Sequence, residues 1–153
     1  MFLSHIDEEK LVEVAQAMAD CLSPPLLIAL QGNLGAGKTT FVRALLRGLG
    51  VTGAIKSPTY SLVETYRPTH ENWQLHHFDL YRIEDEHELE YIGFRDYFTQ
   101  SSICLIEWPD KSEFCQTSAD LVCSLYIKKC HRDLRIVAQT SKGEGILSCL
   151  SKK

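Results

Sequence analysis

Apolar residues recur along the chain in two rhythms, and each change of rhythm marks a change of element. Between residues 4 and 22, Leu11, Val14, Ala15, Met18 and Leu22 fall at helical spacing, Ser4 with Asp7 offers a capping box, and Pro24-Pro25 ends the segment. The run Leu26-Leu27-Ile28-Ala29-Leu30 predicts a short strand buried on both faces, as in a parallel sheet. A glycine-rich turn covers 32–37. A second amphipathic helix begins near Lys38, carries Phe41, Val42, Leu45, Leu46 and Leu49, and stops at Gly50. Gly53 and Pro58 make 52–59 a loop. Residues 60–66 and 73–80 read as an antiparallel pair of strands around a turn at Arg67-Pro68-Thr69-His70. Residues 84–90 are an acidic run of helix formers, 93–98 a short aromatic stretch, and 103–106 another buried strand. Three further strands are predicted at 121–127, 134–138 and 146–150, with turn signals at His131-Arg132-Asp133 and Lys142-Gly143. This order describes an α/β fold with a mixed sheet. A length of 153 residues suits a single domain with a sizeable core, its tail from about 139 being the least patterned part.

Composition narrows the function classes. With 44% hydrophobic and 24% charged residues, disordered and collagen-like chains are excluded. A formal charge of -4 argues against coating nucleic acid by general electrostatics. The charge is uneven: residues 121–153 hold seven basic and two acidic side chains, a face that suits phosphates, an acidic partner or simply solvent. The acidic Asp7-Glu8-Glu9 is unlike a signal peptide, and no apolar run approaches bilayer length, so a cytoplasmic protein without a membrane is expected. Six cysteines form no CxxC pair and are expected to be reduced, partly buried thiols.

The densest chemistry lies at Gly32-Asn33-Leu34-Gly35-Ala36-Gly37-Lys38-Thr39, which matches GxxxxGK[ST]. Glycines allow successive N–H groups to turn inward as an anion nest, and the helix that begins at Lys38 adds its positive end. Lys38 reaches β- and γ-phosphates and the Thr39 hydroxyl ligates Mg²⁺ in such loops. Chance alone matches one window with a probability on the order of 10⁻⁵ to 10⁻⁴. The preceding apolar strand and following helix lower it further, leaving a merely structural glycine turn as a weak rival. A nucleoside triphosphate with Mg²⁺ is the expected ligand.

Phosphoryl chemistry also needs carboxylates. Glu107 ends the apolar strand Ile103-Cys104-Leu105-Ile106, a Walker B pattern, and Asp79 ends another strand in His77-Phe78-Asp79-Leu80-Tyr81-Arg82. Either acid also reads as a solvated strand end. Thr59, in Ser57-Pro58-Thr59-Tyr60, occupies the loop where switch threonines sense a γ-phosphate, although Ser-Pro-Thr is also an ordinary turn. Trp108 covers the nucleotide or a partner surface, or else packs into the core. Adjacent His76 and His77 point to opposite strand faces, which leaves His77 a supporting role at most.

Taken together, Gly32 to Thr40, Ser57-Pro58-Thr59-Tyr60, His77-Phe78-Asp79-Leu80-Tyr81-Arg82 and Glu107-Trp108-Pro109 resemble, in order and spacing, the TsaE (YjeE) family of small bacterial P-loop ATPases. The resemblance runs from about residue 4 to 138. It implies a P-loop NTPase-like three-layer fold with a mixed, mainly parallel central sheet. It implies an ATP- and Mg²⁺-dependent ATPase that supports the TsaB and TsaD proteins as they form N6-threonylcarbamoyladenosine at position 37 of tRNA, with tRNA met through that complex. By motif match, Gly32, Asn33, Leu34, Gly35, Ala36, Gly37, Lys38, Thr39 and Thr40 hold the nucleotide, and Thr39 and Glu107 the metal. Thr59 is the switch residue, Asp79 a catalytic or metal-linked acid, and Trp108 lies near the nucleotide. Nucleoside contacts are implied near Asp7 and Arg132. A GTPase is disfavoured because no Asn-Lys-x-Asp segment occurs, and a small-molecule kinase because its arginines form no lid cluster. A nucleotide-dependent binding module without hydrolysis is the third alternative. No arginine finger is identifiable, so hydrolysis by the isolated chain is expected to be slow.

Overall fold

Four parallel strands form the centre of the sheet in the computed structural model, which describes residues 1–153. They are β6 (Leu121–Ile127), β2 (Leu26–Gln31), β5 (Ser102–Glu107) and β4 (Gln74–Asp79), side by side in that order. Antiparallel strands flank them. β7 (Arg132–Ala138) and then β1 (Phe2–Ile6) extend the β6 edge, and β3 (Val63–Tyr66) extends the β4 edge. The result is a seven-stranded mixed sheet with a parallel core.

Side-chain alternation divides the core into two layers. Leu26, Ile28 and Leu30 of β2 meet α1 (Glu8–Ala19), α2 (Lys38–Gly48) and α5 (Ser141–Leu150), whereas Leu27 and Ala29 meet the opposite layer. That second layer contains α3 (His87–Tyr91), a 3₁₀ turn at Phe94–Tyr97 and α4 (Glu113–Ser118), with Phe78, Phe94 and Cys115 buried among them. Leu11, Met18, Phe41 and Leu45 are completely enclosed between α1, α2 and the sheet. Each such side chain contributes about 1.5–3 kcal/mol by leaving water. No helix is long and apolar enough to cross a membrane.

Several sequence expectations are corrected. Residues 2–6 form strand β1, and α1 starts only at Glu8, because Asp7 is the capping residue: its Oδ1 accepts from the Lys10 N–H at 2.8 Å. Ser4 therefore lies in a strand. Residues 60–62 are not extended; Leu62 has a left-handed φ of 69° and β3 begins at Val63. Residues 146–150 belong to helix α5, not to a strand. Thr140 caps it by accepting from the Gly143 N–H, and Ile146 and Leu150 share its inward face. Lys142 and Gly143 thus form its first turn, and Arg132 and Asp133 already belong to β7.

The cysteines depart from expectation as well. Cys21 and Cys149 are joined as a disulfide that ties α5 to the end of α1. Cys104, Cys115 and Cys123 are buried, and burial pushes their thiols up to about 12, 11 and 12. Cys130 is exposed.

Candidate functional site

The period of two along β4 and β5 decides which side chains face α2. Leu75, Ile103 and Leu105 lie in the layer beneath it, so His77, Asp79 and Glu107, two or four residues further on, point the same way. The register pairs Asp79 with Glu107 directly, at the carboxyl ends of adjacent parallel strands. β2 ends alongside, with Leu30 opposite Glu107, and leads into the glycine loop. Ligands of open α/β sheets bind at this edge.

Gly32, Gly35 and Gly37 have φ of 144°, 78° and 103°, a region that side chains disfavour. Two of them also face close neighbours. A Cβ on Gly32 would stand 2.6 Å from the Leu125 carbonyl oxygen, and one on Gly37 would press on Leu11 at 3.1 Å and the Arg132 Nε at 3.5 Å. Gly37 leads directly into α2, so the loop's amides and the helix's positive end converge. Leu34 at the loop tip is exposed, and Thr40 is half-buried in the first turn of α2.

Lys38 is only 4% exposed. Its Nζ donates to the carbonyls of Gly32 (2.6 Å) and Asn33 (3.2 Å) and lies 4.1 Å from the centre of the Trp108 ring. Burial holds the ammonium pKa below its usual 10.5, against the opposing pull of Glu107, Asp79 and Asp110. Trp108 is half-buried, with a left-handed φ of 59° ahead of Pro109, and its ring packs 5.0 Å from that of Tyr81. It stands at the rim of the loop, partly buried and packed against the second core layer.

Glu107 is 3% exposed and fully engaged. Its Oε1 accepts from the Thr39 hydroxyl at 2.9 Å and lies 2.8 Å from the His77 Nε2. With Glu107 as carboxylate, Nε2 carries the donated proton; the buried His77 Nδ1 has no hydrogen-bond partner. Asp79 is tied on both oxygens: Oδ2 accepts from the Thr59 hydroxyl at 3.3 Å and Oδ1 from the Tyr81 N–H at 3.0 Å. The Ser57 and Thr59 hydroxyls are 2.8 Å apart. The sheet therefore brings Lys38, Thr39, Thr59, Asp79, Glu107 and Trp108 around one loop. His76 points away, bonded to the Thr65 hydroxyl, and burial lowers its pKa.

Asp7 and Arg132 stand on the other flank. Arg132 is opposite Ile6 in the β1–β7 pairing and reaches Gly37, while the Asp7 carboxylate caps α1. Sequence reasoning did not anticipate the Tyr81–Trp108 contact or the direct His77–Glu107 bond. The second had a partial signal, since His77 shares Asp79's strand face.

Known proteins share this pattern. The family described as "Threonylcarbamoyl adenosine biosynthesis protein TsaE" matches residues 5–136. The tRNA threonylcarbamoyladenosine biosynthesis protein TsaE of Haemophilus influenzae is 44% identical over 126 residues, 82% of this chain and 78% of that one. Its Bacillus subtilis counterpart is 37% identical over 103 residues, 67% of this chain and 63% of its own, and the Synechocystis one 42% over 100 residues, 63% and 62%. The crystal structure of Bacillus subtilis YdiB superposes with a TM-score of 0.79 over 99% of this chain and 94% of that one, at 24% identity, and so supports the fold. Since the matched span includes all four motifs and the strands that carry them, the chain belongs to the TsaE family, proteins of threonylcarbamoyl adenosine biosynthesis.

Proposed function

We propose that this chain binds ATP with Mg²⁺, hydrolyses it slowly, and uses the cycle to support the TsaB–TsaD complex in modifying adenosine 37 of tRNA. The observation that carries this reading is the chain of contacts Thr39–Glu107–His77 at the head of α2, next to Asp79 with Thr59 in reach. The residues fit the ligand. The loop's left-handed glycines, two of them with no space for a Cβ beside Leu125 and Leu11, hold the bare-backbone conformation in which amides can approach phosphates. A hydroxyl and a carboxylate are the hard oxygen donors that Mg²⁺ prefers. When bound, Mg²⁺ neutralises charge that develops on the transferring phosphoryl group.

The chain's own residues divide the work. Lys38 trades its carbonyl partners for phosphate oxygens, which are better acceptors for an ammonium. Glu107, bonded to His77 and Thr39, would hold Mg²⁺ together with the Thr39 hydroxyl. Asp79 serves as the acid that orients the nucleophilic water, and Thr59 reports the γ-phosphate through its bond to Asp79. Arg132 and Asp7 flank the nucleoside, and Trp108 with Tyr81 walls the phosphate side.

Single-turnover phosphate release tests the reading, with the chain alone and with TsaB and TsaD added. Slow release alone and faster release in the presence of both partners are expected. The Glu107→Ala protein should fold but lose Mg²⁺-dependent turnover; vigorous hydrolysis by that variant would refute the metal role. Tight nucleotide binding without release under any condition would identify a non-catalytic module.

A further inference from the structure

Strand β1 contains one residue more than its partner allows. Leu3 pairs with Leu134 and Ile6 with Arg132, so Ser4 and His5 together face the single residue Asp133. This is a β-bulge, and His5 takes its strain at φ 56°. Bulges re-aim side chains, and this one turns the His5 ring onto His131. The imidazoles stack with centroids 3.9 Å apart and planes 20° from parallel. Asp133 completes the group: its Oδ1 lies 3.8 Å from the His131 Nε2 and accepts from the His5 backbone N–H at 3.1 Å. One nitrogen from each ring and one Asp133 oxygen lie within 4.8 Å of one another, the one place in the molecule where three His, Cys, Asp or Glu side chains do so.

We propose that His5, His131 and Asp133 form a binding site for a divalent transition metal of the zinc class, distinct from the Mg²⁺ position at Thr39 and Glu107. Two imidazoles and one carboxylate are a borderline donor set that suits Zn²⁺ and disfavours Mg²⁺. Bonds of about 2.0–2.1 Å in tetrahedral geometry require donors about 3.4 Å apart. The His131–Asp133 distance is already close to that, while His5, which is exposed, must rotate out of its stack on His131 so that the two in-plane lone pairs converge on one ion. The His5 amide orients the carboxylate, as outer partners of metal ligands do. Asp133 lies on the face of β7 opposite Arg132, which is turned to Gly37, and His131 immediately precedes the strand. The metal would thus clasp the edge strand β1 to β7 on the side away from the phosphate loop, leaving its fourth position to solvent.

Calorimetric titration of chelator-treated full chain with Zn²⁺, without nucleotide, tests the site. One saturable site is expected, weakened at least tenfold in His5→Ala and His131→Ala, and unchanged in Cys130→Ser and His87→Ala. Zn²⁺ should raise the melting temperature of the parent chain and leave that of His5→Ala unmoved. NMR should show the His5 and His131 imidazole signals shifting with Zn²⁺ while those of His70 and His87 stay. The proposal is overturned if His5→Ala and His131→Ala, folded by circular dichroism, bind Zn²⁺ like the parent. It is equally overturned if the parent shows no saturable site, or if Cys130→Ser abolishes binding and so moves the site to that thiol.

Discussion

Replacing His77 by leucine isolates the support behind Glu107, the carboxylate proposed to hold Mg²⁺. The ring is completely buried, its Nε2 is 2.8 Å from Glu107, and its Nδ1 has no partner. Loss of a hydrogen bond to a charged acceptor costs about 1.5–3 kcal/mol, which corresponds to about 10- to 150-fold in the population of correctly held Glu107. Mutations of residues that orient metal ligands lower metal affinity by about 10- to 100-fold, in the same range. Leucine also removes the unpartnered Nδ1 and fills an apolar layer, which offsets part of the stability loss. The expected signature is therefore a split: melting temperature near that of the parent, with the Mg²⁺ concentration for half-maximal ATP binding raised at least tenfold. Titrations of nucleotide at stepped Mg²⁺ concentrations read the second quantity, and His77→Gln, which keeps an N–H at similar reach, should restore most of it. A leucine variant with the parent's Mg²⁺ dependence would refute the reasoning, because Glu107 would then need no support beyond Thr39.

Lys38→Met should abolish ATP binding yet raise the melting temperature of the nucleotide-free chain at pH 7, since it removes a charge whose burial is costly. The folded-state pKa of Lys38 lies below 10.5, so the unfolded chain binds more protons between the two values and the parent regains stability as pH rises. Scanning calorimetry from pH 7 to 10 should thus show the variant's advantage shrinking; a gap that widens contradicts the assignment. Gly32→Ala places a Cβ against the Leu125 carbonyl at φ 144° and should cost at least about 1–3 kcal/mol, seen as a lower denaturant midpoint together with lost ATP binding. Cys149→Ser opens a link spanning 128 residues and should lower unfolding free energy by about 2–5 kcal/mol under oxidising conditions, whereas an unchanged urea midpoint would mean the bond carries no stability.

The glycine loop could be read from the sequence because its requirements are local: glycines for positive φ, a lysine and a threonine at a helix start. The central strands were legible for a similar reason, as runs such as residues 26–30 have no face to expose. What escaped depends on distant partners. β1 is an exposed edge strand whose bulge breaks the alternation that would have marked it. Ile146, Leu147 and Leu150 do fall at helical spacing, but the cap that starts α5 at Thr140 also bonds Asp120, and Asp120 in turn accepts from the Leu27 N–H. Cys21 and Cys149 meet only because α5 folds back on α1. The acids themselves were visible at strand ends, whereas their partners, His77 for Glu107 and Thr59 for Asp79, emerge only from the register of β4 on β5 and the path of the loop before β3.

The side-by-side placement of Asp79 and Glu107 makes the ligand a witness to folding. Beyond the Tyr81 N–H that holds one oxygen of Asp79, the two acids are placed by strand pairing, so a chain with helices formed but strands slipped by one residue would send one of the two to the opposite layer. Nucleotide should consequently recognise only molecules whose central strands have zipped to completion, and its binding should slow amide exchange in the middle of β5, two or three residues before Glu107.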